Sequence, residues 1–160
     1  FETVDEFIAK AQSILQRRKT RSGRSLELHA KEIFLEENLE EDSDFSHQPE
    51  SESGHKPDFI FPSEAAYKDG SFPDNKLRML AVKTTCKDRW RQILREANRI
   101  KEKNLLTIQE GVSEAQFKEM VEANVRLVVP ESVIKSYPKS IRPDIKTLES
   151  FIEDVRLLRF

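Results

Sequence analysis

The sequence predicts an α/β domain with a central mixed β-sheet flanked by helices, on three observations. Short aromatic or aliphatic runs recur at strand length, segments between them carry apolar residues at helical spacing, and the two patterns alternate along the chain. With 160 residues, 37% hydrophobic content and ten Phe, the chain is sized for one domain with a real core.

Val4, Phe7, Ile8, Ala11, Ile14 and Leu15 fall at helical spacing and predict an amphipathic helix over 3–17. Arg21-Ser22-Gly23-Arg24 breaks it. Ser22 or Ser25 then caps a second helix running through Leu26, Ala30, Ile33 and Phe34 to about Asn38. Segment 40–56 is rich in Ser, Glu, His and Pro, with Phe45 almost its sole apolar residue, so it reads as an exposed, acidic, flexible loop. Residues 58–61 form a short aromatic strand between two prolines. Residues 77–84 are nearly continuously apolar, as expected of a strand covered on both faces. A polar connection containing Asp69-Gly70 and Pro73-Asp74-Asn75 joins them. Residues 87–103 read as a helix with Trp90, Ile93, Leu94, Ala97 and Ile100 inward. Residues 105–108 give a third strand, 113–124 a helix capped by Ser113, and 125–129 a fourth strand; Pro130 and Pro138 precede a last helix at about 147–158.

The formal net charge of −2 averages over a strong asymmetry. Residues 36–54 hold eight acids and no Lys or Arg, and outside them 27 bases face 21 acids. The bases cluster at 16–21 and 87–91, as solvated faces or as phosphate-gripping patches. Arg17, Arg18, Lys19, Arg21 and Arg24 are candidates for the second role. A lone Cys86 rules out an intramolecular disulfide framework, and with His29, His47 and His55 scattered it argues against a structural zinc site. No signal peptide and no bilayer-length apolar run is present, so a reducing cytoplasm is the expected location. The chain opens at Phe1 rather than Met, which is read as the start of a fragment of a longer polypeptide.

The chemistry centres on Lys56-Pro57-Asp58 and, 25 residues beyond Asp58, on Lys83 at the end of Leu80-Ala81-Val82-Lys83-Thr84-Thr85. One carboxylate and one ammonium can then stand side by side on a sheet edge. Phosphodiester cleavage needs a divalent cation to polarise the phosphoryl oxygen and a positive charge to offset the negative charge that builds up. Mg²⁺ prefers carboxylate oxygens and keeps several waters, so two or three carboxylates suffice. Residues two apart on a strand share a face, which puts Ala81 beside Lys83. Many nucleases of the PD-(D/E)xK superfamily carry an acid at the position of Ala81. Glu96, 13 residues past Lys83, is the natural replacement if the 87–103 helix packs across the strand; otherwise it is a surface glutamate pairing with Arg95 or Arg99. Glu27 is a further candidate for a water-mediated or second-metal role, against the alternative of a helix-dipole glutamate. Tyr67 is a candidate covalent nucleophile, although a water nucleophile is the simpler account and a phosphate or packing contact is the alternative role for this tyrosine. Trp90 fits the core better than a base-stacking wedge.

The run 21–28, the Lys56-Pro57-Asp58-Phe59 strand and Val82-Lys83-Thr84-Thr85-Cys86-Lys87-Asp88-Arg89-Trp90-Arg91-Gln92 closely resemble the C-terminal catalytic domain of EcoRII-type restriction endonucleases. The resemblance covers nearly the whole chain, and its specific part is 82–92. It implies a restriction-endonuclease-like core over 1–160 in which the second acid has migrated to the following helix, matching Ala81 with Glu96. It further implies that Asp58 and Glu96 bind Mg²⁺, that Lys83 orients the water, and that Lys87, Asp88 and Arg89 lie in the DNA-reading motif, with Arg91 beside them a further DNA-binding candidate. An arginine fork suits guanine O6 and N7, and a carboxylate suits cytosine N4. Double-stranded DNA with a CC(A/T)GG-type site, a homodimer, and a separate N-terminal effector-DNA-binding domain that restrains the catalytic one are the implied partners. Rival readings are a structure-specific repair nuclease of the same core, a binding-only protein with a degenerate site, and an interaction domain without DNA affinity.

Overall fold

Strand residues divide alternately between two apolar layers, and helices cover both. The computed structural model describes residues 22–51, 54–85 and 89–158, with 22–25 and 89 described by backbone alone. The helix expected over 3–17 lies outside these residues. The strands are β1 (Ser46–His47), β2 (Phe59–Phe61), β3 (Arg78–Val82), β4 (Lys103–Leu106), β5 (Val125–Val129) and β6 (Lys146–Thr147). They form one sheet in chain order, antiparallel from β1 to β3 and parallel from β3 to β6. The α-helices are α1 (Ser22–Glu36), α2 (Glu64–Lys68), α3 (Glu114–Glu122), α4 (Glu131–Ile134) and α5 (Leu148–Leu157). None of the described helices is long and apolar enough to cross a membrane.

On one sheet face Phe59, Phe61, Leu80, Val82, Leu106 and Val128 meet the apolar stripes of α1 and α5. Leu26, Ala30, Ile33 and Phe34 form the α1 stripe at the spacing read from the sequence. Edge-to-face contacts set its depth: Phe34 lies 5.1 Å from Phe59 and 5.6 Å from Phe61, centroid to centroid. Asn38 takes a left-handed φ of 67° just past α1, and Leu39 N–H returns to Phe34 O at 3.0 Å, a Schellman-type stop. On the opposite face Ile60, Met79, Ala81, Leu105, Leu127 and Val129 pack under Trp90, Ile93 and Ala97 and under Phe117 and Met120 of α3. Ser113 and Thr147 cap α3 and α5 by accepting from Gln116 N and Ser150 N, each at 3.1 Å.

Two segments differ from expectation. The acidic stretch 40–56 supplies β1, with Phe45 and Ser46 buried, instead of lying wholly outside the sheet. Phe45 inserts against Phe34 at 5.6 Å, and the neighbouring carboxylates work locally: Asp44 accepts from Glu40 N at 2.7 Å and Asp42 from the Ser46 hydroxyl at 2.8 Å. One aromatic anchor outweighs a run of charges whose carboxylates find local partners, Glu41 among them through Lys31 at 3.3 Å.

The α-helix expected over 87–103 is instead a 3-10 helix, Arg89–Arg95, followed by a tight turn. Its apolar residues do face inward: Trp90, Ile93, Ala97 and Ile100 are buried. Ala97, however, sits at φ 50°, which ends any helix and costs an L-residue about 1–2 kcal/mol. The buried ammonium of Lys103 takes the carbonyls of Glu96 and Ala97 at 2.7 Å and of Ile100 at 2.5 Å. Those carbonyls are the acceptors a continuing helix would have given to amides.

Candidate active site

Asp58 immediately precedes β2 and Lys83 immediately follows β3. Because these strands are antiparallel with Phe59 opposite Leu80, the start of one lies beside the end of the other. Val82 N–H donates to Asp58 Oδ2 at 2.6 Å, and Gln48 N–H donates to the Asp58 carbonyl at 2.7 Å. Lys83 is tied at its own amide to Leu106 O at 3.0 Å. The register thus delivers a carboxylate and an ammonium to one end of the sheet.

Electrostatics show what else converges there. Burial pushes the Asp58 carboxyl up from 3.8 to about 7; the Glu27 carboxylate beside it adds to the rise, the Val82 amide opposes it, and Glu96 contributes a further increase. Glu96 is raised as well, chiefly by burial, while Lys83, Lys103 and His55 pull it down. Glu96 Oε1 is buried with no hydrogen-bond partner. Three acids and a lysine from α1, the β2 start, the β3 end and the turn after the 3-10 helix therefore share one site.

Glu27 is buried, not a solvated helix-dipole residue. Its Oε2 receives His47 Nε2 at 2.5 Å and Gln48 Nε2 at 2.8 Å, and the His47 ring stacks on Phe59 at 5.1 Å. The acidic segment supplies another brace: Ser51 Oγ accepts from Ala97 N at 3.2 Å, next to Glu96. Sequence reading missed His47, Gln48, Ser51 and Lys103. The available signal for the first two was their place between Phe45 and Pro49, both buried in a run otherwise given to acids.

Ala81 belongs to the same buried cluster as Ile93 and Ala97 of the overlying layer. Glu96 enters from that layer, one residue before the left-handed Ala97, and not from a regular helix face. Among the described residues no three His, Cys, Asp or Glu side chains form a ready-made metal cage. Two carboxylates nevertheless fit a hard cation that keeps most of its own waters. A buried carboxylate oxygen without a donor and a carboxyl crowded by two others are what such an ion would relieve.

Tyr67 does not join the group. It is 4% exposed, packed in the core, and its hydroxyl accepts from Arg99 N at 3.0 Å, which fits the packing alternative rather than a nucleophile. Arg91 pairs with Glu119 of α3 at 2.5 Å and lies 4.4 Å over the Trp90 ring. Arg21, Lys87 and Asp88 lie outside the described residues, as do the side chains of Arg24 and Arg89.

The model of the EcoRII C-terminal family matches residues 1–152. The chain belongs to the EcoRII C-terminal family. The type II restriction enzyme EcoRII of Escherichia coli is 55% identical over 155 residues, covering 97% of this chain and 38% of that protein. The chain thus spans well under half the length of this curated relative. Among solved structures, metal-depleted Ecl18kI in complex with uncleaved DNA superposes with a TM-score of 0.70 at 24% identity, over 93% of this chain and 49% of that one. The same protein with uncleaved, modified DNA gives 0.69 at 21% identity. These likenesses establish a restriction-endonuclease-like fold for this EcoRII C-terminal family member.

Proposed function

We propose that the chain is the catalytic domain of a type II restriction endonuclease, hydrolysing phosphodiester bonds of double-stranded DNA at a CC(A/T)GG-type site with Mg²⁺. The observation that carries the reading is the convergence of Glu27 and Glu96 on Asp58 at one end of the sheet, with Lys83 beside Glu96. Family membership and the fold shared with Ecl18kI, whose solved complexes hold uncleaved DNA, support it.

Asp58 and Glu96 would hold Mg²⁺, which when bound polarises the phosphoryl oxygen and makes a water a better nucleophile. Lys83 offsets charge developing on the phosphoryl group and orients the attacking water. Glu27, gripped on Oε2 by His47 and Gln48, serves a water-mediated or second-metal role. Val82 N–H fixes the Asp58 carboxylate before substrate arrives, so orientation is built into the sheet. Tyr67→Phe is expected to leave cleavage within a few-fold of wild type and to lower stability by about 1 kcal/mol, the worth of its bond to Arg99 N. Chemical denaturation beside a cleavage assay checks both.

Arg89, with Lys87 and Asp88, reads base edges in this proposal, while Arg21 and Arg24 contact phosphates; Arg91 serves only if it leaves Glu119. Arg89→Ala should cost about 1–3 kcal/mol of discrimination between intact and altered sites, measured by competition binding. A homodimer reads the near-palindrome and cuts both strands, and a separate N-terminal effector-DNA-binding domain restrains it. The deciding experiment incubates the protein with duplexes carrying CC(A/T)GG or one altered pair, in Mg²⁺ and in EDTA. Metal-dependent cutting confined to the intact site is expected. Cutting that ignores the CC and GG pairs would replace this reading with a structure-specific nuclease, and tight binding without cutting would replace it with a degenerate site.

A further inference from the structure

We propose that Lys103 is a positioning residue for Glu96: its buried ammonium gathers the Glu96, Ala97 and Ile100 carbonyls into the turn that carries this carboxylate to Asp58 and Lys83. The inference rests on the reading of Glu96 as a metal-holding residue.

Lys103 opens β4, paired to Val125 of β5, and its amide donates to Asn124 O at 3.0 Å. Its side chain therefore starts from a fixed point in the sheet. The residue is 4% exposed, and an ammonium that deep needs acceptors for its three N–H groups. It finds them in the carbonyls of Glu96 and Ala97 at 2.7 Å and Ile100 at 2.5 Å. Three carbonyls converging on one point fix the path of residues 96–100 more tightly than apolar packing does.

Two features tie that path to Glu96 itself. The Glu96 peptide carbonyl is one of the acceptors, so the ammonium holds the backbone from which the carboxylate projects. Ala97 is held at φ 50°, a conformation an alanine does not keep unaided, with its N–H on Ser51 Oγ at 3.2 Å. Arg99 pins the far side of the turn through Tyr67: its N–H donates to the Tyr67 hydroxyl at 3.0 Å. The Lys103 charge also lies close enough to favour the ionised Glu96 carboxylate, after burial and Lys83 have had larger effects. The carboxylate that this turn carries points inward, where Oε1 is buried and without a donor.

The test is a double-mutant cycle on Mn²⁺ binding, read by electron paramagnetic resonance, for wild type, Lys103→Met, Glu96→Gln and the double variant. Amide hydrogen exchange at residues 96–100 in EDTA supplies a metal-free readout. Lys103→Met should weaken Mn²⁺ binding about tenfold or more in the wild-type background, change it less than about twofold in the Glu96→Gln background, and speed exchange at Ala97 and Ile100. A lysine that only supports the fold would lower the melting temperature with Mn²⁺ binding unchanged, or weaken binding equally in both backgrounds; either result overturns the proposal. If Glu96→Gln leaves Mn²⁺ binding untouched, the ligand reading of Glu96 fails and the inference falls with it. Should Lys103→Met not fold, the same cycle is run with Lys103→Gln, which keeps two N–H donors for the turn without the charge, and the same outcomes decide.

Discussion

Asp58→Asn is expected to lower divalent-ion-dependent cleavage of a cognate duplex by about 10³-fold, while binding of that duplex in EDTA stays within a few-fold of wild type. The substitution isolates charge from shape. Asn keeps an acceptor oxygen for Val82 N–H, which now bonds Asp58 Oδ2 at 2.6 Å, and keeps the side-chain volume at the start of β2. Alanine would remove both, and a failure could then be blamed on the strand. What Asn cannot supply is the anionic oxygen. Several kcal/mol of transition-state stabilisation come from the cation such a site holds, and a factor of ten corresponds to about 1.4 kcal/mol. Lys83→Met should fall in the same class, because in the proposed mechanism Lys83 faces the reacting phosphoryl group rather than the base edges. Steady-state cleavage and gel-shift titration on the same preparations separate the two effects. An Asn variant that cuts near the wild-type rate would remove Asp58 from the machinery. Parallel loss of binding and cutting would make it a structural residue.

Why Asp58 and Lys83 were legible, and their supporting residues were not, follows from where the information sits. Asp58 precedes Phe59-Ile60-Phe61, and Lys83 follows Arg78–Val82; alternation and strand length identify both strands within a residue or two, and adjacency of consecutive strands does the rest. Glu96 was reachable by chemistry, because Ala81 leaves an acid wanting, but the local structure around it was misread. Helical spacing at Trp90, Ile93, Ala97 and Ile100 matched the buried face, yet spacing is silent on whether backbone carbonyls go to amides or to a lysine several residues later. The positive φ of Ala97 carries no mark in the sequence, since alanine is a poor signal for a left-handed turn.

The acidic segment failed for a related reason. Composition averages over 40–56 and reads disorder, whereas one buried Phe45 and two bonds from His47 and Gln48 to Glu27 join a strand to a helix about 20 residues upstream. Such a role exists only once α1, β1 and β2 pack together. The Glu27 carboxylate follows the same rule: on helix position alone it is a dipole residue, and only the sheet edge above it makes it part of a cluster.

The second large effect is a pH dependence of the metal-free protein with the opposite sign to that usual for a salt-bridged acid. The folded state holds the Asp58 proton up to about pH 7, against an ordinary value of 3.8, because burial, Glu27 and Glu96 all disfavour the anion more than the Val82 amide favours it. The unfolded chain gives up that proton near pH 4. Between those two values the folded state binds more protons than the unfolded state, so stability is highest below about pH 4 and falls as pH rises toward 7. Glu96, also raised by burial despite Lys83, Lys103 and His55, adds a change of the same sign. For Asp58 the loss should reach on the order of 2–4 kcal/mol, toward the lower end to the extent that water still reaches the carboxylate. Urea unfolding in EDTA at pH 5 and pH 8 measures it. Wild type should lose stability across that window, Asp58→Asn should lose markedly less, and Mn²⁺ at pH 8 should restore the wild type but not the variant. His47→Gln, which removes the ring nitrogen lying 2.5 Å from Glu27, serves as the control that assigns the slope to Asp58. Parallel pH profiles for wild type and Asp58→Asn would mean that the Asp58 carboxyl is not crowded in solution, and the convergence of Glu27 and Glu96 on it would lose its physical footing.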